Sequence, residues 1–429
     1  MEFRLAILTG KGVVKCLINH IIENILRKES IFQILFVHLP HLYRRTYIMK
    51  IIYVYDAIAR LGGVERIWVD KMNSLADQYN EQVYLVTTCQ GNHPLAYTLS
   101  DKIRHIDINV RFHTKYQYSL PKRLWMGWQM DRQLVEKLNG IVNDINPDIV
   151  IATTYYKADV VCNLRCNAKK IIESHVARIC TGINDGVKRS FISEMYRRWM
   201  YKKYFKMIEG KGGAIVTLTS GDARDWNAKD ILVIPNAVDM KNTTYSQLTN
   251  KTAIFAGRFT YQKGLDRMLE AWKLVVNKRS DWKLKLVGEG ELKEQLVRQC
   301  KELGIENNVI FVEATKDIAK EYIDSSMFLF TSRFEGFGLV LVEAMQCGVP
   351  CVSFDCPYGP SDIIDDGING YLIENGNIEK FADAVLKLIE NDDLRMQIGK
   401  AAIEKSRQYL PENIMPQWIK LYNSLTDNK

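Results

Sequence analysis

An α/β protein built from two doubly wound, Rossmann-like halves, each with a parallel sheet and the two sharing a cleft, is the fold that this 429-residue sequence predicts. Three observations carry the expectation. Short β-branched runs alternate with amphipathic helical periods, the alternation is gone through twice, and a polar, weakly periodic stretch at 240–251 separates the two series. The length suits two or three domains at roughly 100 to 200 residues each. A hydrophobic share of 47% with 25% charged residues is ordinary for globular chains and excludes a disordered or collagenous one.

The segment before Met49 stands apart. Residues 1–48 carry seven basic side chains against Glu2, Glu23 and Glu29, so half of the total excess of +8 lies there. Basic and apolar parts alternate, unlike the order of a signal peptide. The best apolar run, Ile31 to Leu39, is interrupted by Gln33 and His38 and falls short of the roughly 18 residues that cross a bilayer. The segment is expected to be an N-terminal extension: an interfacial basic arm or, the favoured reading, an upstream start-site artefact.

From Met49 onward, strands are expected at 51–55, 82–88, 148–154, 170–174, 214–219 and 231–234 in the first half. Those of the second half are expected at 252–256, 283–287, 308–312, 327–331, 350–354 and 370–373, with helical periods such as 265–276 and 292–303 between them. This gives an N-terminal domain at 49–239 and a C-terminal one at 240–409. Ligands of doubly wound sheets bind outside the carboxyl ends of the strands, so the site is expected between the domains. The nine cysteines form no C-x-x-C pair and have no His-rich neighbour, which suggests reduced thiols, no metal site and a cytoplasmic setting.

Gly62-Gly63 follows the first strand and opens a helix. Two glycines there allow close backbone approach to a phosphate at the helix N-terminus, and a plain strand-to-helix turn explains them equally well. Neither G-x-x-x-x-G-K-[ST] nor a full G-x-G-x-x-G occurs, which removes the usual mononucleotide and dinucleotide motifs. In the second half, Gly257-Arg258-x4-Lys263-Gly264 closes one strand and opens a helix. Two cations at a strand's carboxyl end can neutralise a diphosphate, although surface charges of a βα loop read the same. Further on, Glu335-Gly336-Phe337-Gly338-Leu339 leads from a strand into a very apolar helix that contains Glu343. A carboxylate there is costly to bury unless donors meet it, and ribose hydroxyls are suitable donors. The glycines leave backbone amides at the helix start as a further anion site.

With Gly62-Gly63-x-Glu65-Arg66, Pro235-Asn236-x-Val238-Asp239, Gly257-Arg258-x4-Lys263-Gly264 and Glu335-x7-Glu343 together, the chain from Met49 to its end resembles the retaining, GT-B-fold glycosyltransferases of family 4. The resemblance implies that Arg258 and Lys263 hold a donor diphosphate with the amides near Gly336 to Leu339, and that Glu343 binds the ribose. It implies that Glu335 contacts hydroxyls of the transferred sugar, that Gly62 and Gly63 approach the donor phosphate, and that His175 lies near the donor sugar. It also implies that the last helix, within 410–429, crosses back to the N-terminal domain. No metal or other cofactor is then required, since cations and amides stabilise the leaving group. Either front-face attack or a covalent intermediate satisfies retention.

The partners implied are a nucleotide-sugar donor, most simply a UDP-sugar, and a glycan or lipid-linked acceptor. Residues 188–211 carry eight basic side chains against Glu194 and Glu209, with Phe191, Met195, Trp199, Tyr204, Phe205 and Ile208 interspersed. Tyr116, Tyr118, Trp125 and Trp128 accompany Lys115, Lys122 and Arg123. Such segments suit contact with an anionic membrane at its cytoplasmic face. No recognised nucleic-acid module accompanies them, so nucleic acid is not expected as a partner. A sugar-nucleotide epimerase and a silent donor-binding subunit of a glycan synthase complex are the competing readings.

Overall fold

The computed structural model describes residues 47–60, 62–180, 190–240, 244–315 and 317–426. The reading of residues 1–48 therefore lies, but for its last two residues, outside the described residues, as do Lys188 and Arg189 of the basic segment. From Met49 onward the chain forms one compact unit. Its first sheet comprises β1 (Lys50–Tyr55), β2 (Gln82–Thr87), β3 (Arg104–Asp107), β4 (Ile149–Thr153), β5 (Lys169–Ser174), β6 (Ala214–Thr217) and β7 (Ile231–Val233), in the order β3-β2-β1-β4-β5-β6-β7. Its second comprises β8 (Thr252–Ala256), β9 (Lys283–Val287), β10 (Val309–Val312), β11 (Met327–Phe330), β12 (Cys351–Asp355) and β13 (Gly370–Glu374), in the order β10-β9-β8-β11-β12-β13. Every described pairing of these strands is parallel.

The expected α/β architecture is thus the observed one. Central strands such as β1, β4 and β8 are nearly continuous apolar runs because helices cover both of their faces. One strand was not expected from the sequence. Arg104–Asp107 sits at the edge of its sheet and leaves each of its four residues at least partly open to solvent, so it has no apolar run to betray it.

In each sheet the strand order reverses once, between β1 and β4 and between β8 and β11, and this switch point opens a crevice at the strands' carboxyl ends. The last helix, Pro411–Thr426, buries Ile414, Trp418, Leu421 and Tyr422 against the first sheet's core, where the hydroxyls of Tyr422 and Tyr53 meet at 3.1 Å. Among the described residues no helix is long and apolar enough to cross a membrane.

Candidate active site between the two sheets

The loop after β8 carries Arg258 and Lys263 to the switch point of the second sheet. Gly264, at φ +62, presses so closely on the end of β11 that a Cβ there would lie 2.2 Å from the Thr331 carbonyl oxygen. The Thr331 hydroxyl donates to the Lys263 and Gly264 carbonyls, and Arg333 N–H donates to the Gln262 carbonyl at 2.7 Å. This lacing holds the loop after β8 beside the turn after β11, so that Lys263 Nζ lies 2.6 Å from Glu335 Oε1. Both side chains are largely buried, whereas Arg258 is exposed and has no partner among the described residues.

After Glu335 the backbone turns through Gly336 and Gly338, the latter at φ +98, into the helix Leu339–Gln346. The N–H groups of Gly336, Phe337 and Gly338 have no acceptor among the described residues. The ring of Phe337 is buried edge-on against Tyr409 and anchors the turn, so only its backbone is open to a ligand. Cation, amides and carboxylate thus converge where an anion with hydroxyl-bearing substituents fits.

The first sheet supplies the opposite wall. Gly63 begins the helix Gly63–Asp77, and a Cβ on it would lie 3.0 Å from the Leu339 side chain. His175, just past β5, places its carbonyl oxygen where a Cβ on Gly336 would come within 2.2 Å. The two lobes are therefore in backbone contact at the Gly336 turn. Between Gly62, Gly63, Arg66 and Tyr97 on one side and Leu339, Val340 and Glu343 on the other lies a cleft of about 220 Å³.

Glu343 is buried, and the donors that meet it are protein groups. Arg66 Nη1 reaches Oε1 at 2.7 Å from the other lobe, and the Tyr322 hydroxyl donates to Oε2 at 3.2 Å. Burial, with the nearby Glu343 charge adding to it, pushes the Tyr322 phenol well above its ordinary range, so it remains a donor. Neither partner received a role from the sequence alone. Arg66 lay within a quoted motif, but nothing local shows that it reaches across to the other lobe.

His175 is buried among groups that sequence reasoning also passed over. Glu173 takes Lys71 Nζ on Oε1 at 2.5 Å, and His175 Nε2 and Trp68 Nε1 on Oε2 at 2.8 and 3.0 Å. The signal was available: Lys71 falls at the core-facing spacing of Trp68, Met72 and Leu75.

The fold and this cleft define a two-lobed transferase of the GT-B type. Residues 239–405, which hold Arg258, Lys263, Glu335 and Glu343, match the family model described as "Glycosyl transferases group 1". An uncharacterized glycosyltransferase of Haemophilus influenzae is 31% identical over 371 residues, spanning 84% of this chain and 96% of the relative. The chain belongs to the group 1 glycosyltransferases and is an enzyme of that class. Poly(ribitol-phosphate) alpha-N-acetylglucosaminyltransferase of Staphylococcus aureus is 34% identical over 228 residues, 52% of this chain and 46% of the relative. The crystal structure of an S. aureus TarM variant in complex with Fondaparinux, alpha-GlcNAc-glycerol and UDP shares the fold at a TM-score of 0.71, with 20% identity over 88% of this chain and all of that one.

Proposed function

We propose that this enzyme transfers a hexose or N-acetylhexosamine from a nucleoside diphosphate sugar, most simply a UDP-sugar, to a glycan or lipid-linked acceptor, with retention and without a divalent metal. The observation that supports the reading is the pairing of Lys263 with Glu335 beside the open amides of Gly336–Gly338, on the turn into the helix whose first residues, Leu339 and Val340, face the Gly62-Gly63 helix start across the cleft; Arg258 lies on the same loop as Lys263. Preorganised donors of this kind stabilise a departing diphosphate with little reorganisation, and such stabilisation commonly lowers the barrier more than any other single effect. In this reading Glu335, held by Lys263, accepts hydroxyls of the transferred sugar. The UDP in the TarM complex and the alpha-linked product named for the S. aureus relative support the donor class and the stereochemistry.

Release of UDP from a panel of UDP-hexoses and UDP-N-acetylhexosamines, with EDTA present, tests this. Slow hydrolysis of at least one donor with the anomeric configuration kept is expected. Activity lost to EDTA, or an inverted product, would contradict the corresponding part.

The reading includes peripheral contact with an anionic membrane at its cytoplasmic face. In the helix Phe191–Lys211 only Phe205 and Ile208 are buried, while Phe191 is 82% exposed and Ile192, Met195, Tyr196 and Trp199 are exposed too. The helix Leu120–Ile145 divides in the same way, with Leu120, Leu124, Trp125 and Trp128 exposed and Leu134, Leu138 and Val142 buried. Exposed rings among Lys122, Lys202, Lys203 and Lys206 suit a headgroup layer, where each basic residue contributes about 1 kcal/mol. A chain starting at Met49 should float with anionic vesicles at low salt and dissociate as salt rises. Binding that is absent, or indifferent to lipid charge, would remove this part.

A further inference from the structure

In the first lobe Lys71 and Glu173 form a buried ion pair, with side chains only 4% and 1% exposed. Such a pair adds little to stability compared with apolar packing, so its retention calls for another reason. The surroundings supply one. Lys71 Nζ lies 3.6 Å from the ring centroid of Trp418 on the last helix and points its charge at Glu173 Oε1. Burial works to raise the Glu173 carboxyl, but the Lys71 ammonium and the His175 donor outweigh it and hold the acid well below the usual carboxylate range. Tyr53, Tyr422 and Tyr155, which also feel the Glu173 charge, are all pushed above their ordinary range, chiefly by burial, and bring no charge.

Glu173 is therefore an acceptor only, and that decides where the protons on its neighbours lie. His175 Nε2 is 2.8 Å from Glu173 Oε2 and 2.9 Å from Trp68 Nε1. An unprotonated Nε2 would set its lone pair against a carboxylate oxygen at hydrogen-bond distance, so the proton belongs on Nε2. The indole N–H then goes to Glu173 Oε2, at 3.0 Å. The ring's other nitrogen, Nδ1, has no partner among the described residues. The same residue's carbonyl already abuts Gly336 in the donor turn.

We infer that Glu173, backed by Lys71, is a positioning residue that fixes His175 as the Nε2–H tautomer and so presents Nδ1 as an acceptor for a hydroxyl of the transferred sugar. This rests on the donor-sugar reading for its second half alone, because the tautomer exists without substrate. It adds a specificity requirement: the sugar must offer His175 a hydroxyl hydrogen, and a deoxy sugar at that position is disfavoured.

The test is long-range proton–nitrogen correlation spectroscopy on the labelled, substrate-free protein at pH 8, above the ordinary imidazole range, with His175 assigned by its loss in His175→Asn. The Nε2–H pattern is expected. In Glu173→Gln, the amide oxygen must face the Lys71 ammonium, which turns the NH2 group to His175 Nε2 and moves the ring proton to Nδ1. That variant should show the opposite tautomer and lose about tenfold to a hundredfold in kcat/KM for the donor, since a site that presented an acceptor now presents a donor. An Nδ1–H parent, or an unchanged tautomer in Glu173→Gln, overturns the positioning role; a switched tautomer with undiminished turnover overturns the sugar contact. If Glu173→Gln does not fold, Trp68→Phe takes its place: it should keep the Nε2–H pattern, and a switch there overturns the assignment. Absence of any donor turnover in the parent would instead count against the proposed activity and leave the tautomer result standing.

Discussion

Alanine in place of Arg258 is expected to lower donor turnover by about a hundredfold to a thousandfold while leaving the melting temperature where it was. The side chain is exposed and unpaired among the described residues, so its removal breaks no native contact. Lys263→Ala should cost at least as much activity and, unlike Arg258→Ala, stability as well, because it strands the buried Glu335 carboxylate that now lies 2.6 Å from the ammonium. Breaking such a pair by removing one partner commonly costs about 3–5 kcal/mol. Steady-state rates beside thermal melts separate the two. Near-normal turnover in both variants would remove the diphosphate clamp.

Gly336→Ala is expected to destabilise the protein by about 1–3 kcal/mol and to depress turnover with it. The new methyl would lie 2.2 Å from the His175 carbonyl oxygen, a backbone atom that cannot rotate away, so the donor turn and the strand end across the cleft must separate. Gly140→Ala makes a clean comparison. That glycine lies within the helix Leu120–Ile145 with nothing within 4 Å of the place a methyl would take, and alanine there should stabilise by about 1 kcal/mol. Denaturant melts of both variants are the measurement. Equal stability of Gly336→Ala and the parent would mean that the lobes do not meet this closely.

What could be read in the sequence divides along physical lines. Buried parallel strands announce themselves because both faces need apolar residues, and glycine turns announce themselves because only glycine takes the required backbone. That is how Gly257, Gly264 and Gly338 marked the strand ends now found around the crevice, with Gly336 required instead by the close approach of the His175 carbonyl. The edge strand Arg104–Asp107 left no such mark. Long-range polar pairing left little more. Arg66 with Glu343 spans 277 residues and Lys71 with Glu173 spans 102, and no local spacing encodes either. The helix at 191–211 shows a third limit. Its apolar residues are spread around the helix with little one-sidedness, only Phe205 and Ile208 find a core, and the mixed basic and apolar composition alone does not tell which positions pack and which stay open.

The passage of the last helix back across the molecule bears on how the enzyme moves. The outgoing segment near Val238 and the returning one at Tyr409 run side by side, with Val238 N–H donating to the Tyr409 carbonyl at 2.8 Å. A single strap would let the lobes twist and drift in every direction, whereas two straps bonded to each other act as a leaf spring. Such a joint is expected to resist twisting of one lobe against the other more than a single crossing would, which favours keeping the two walls in register.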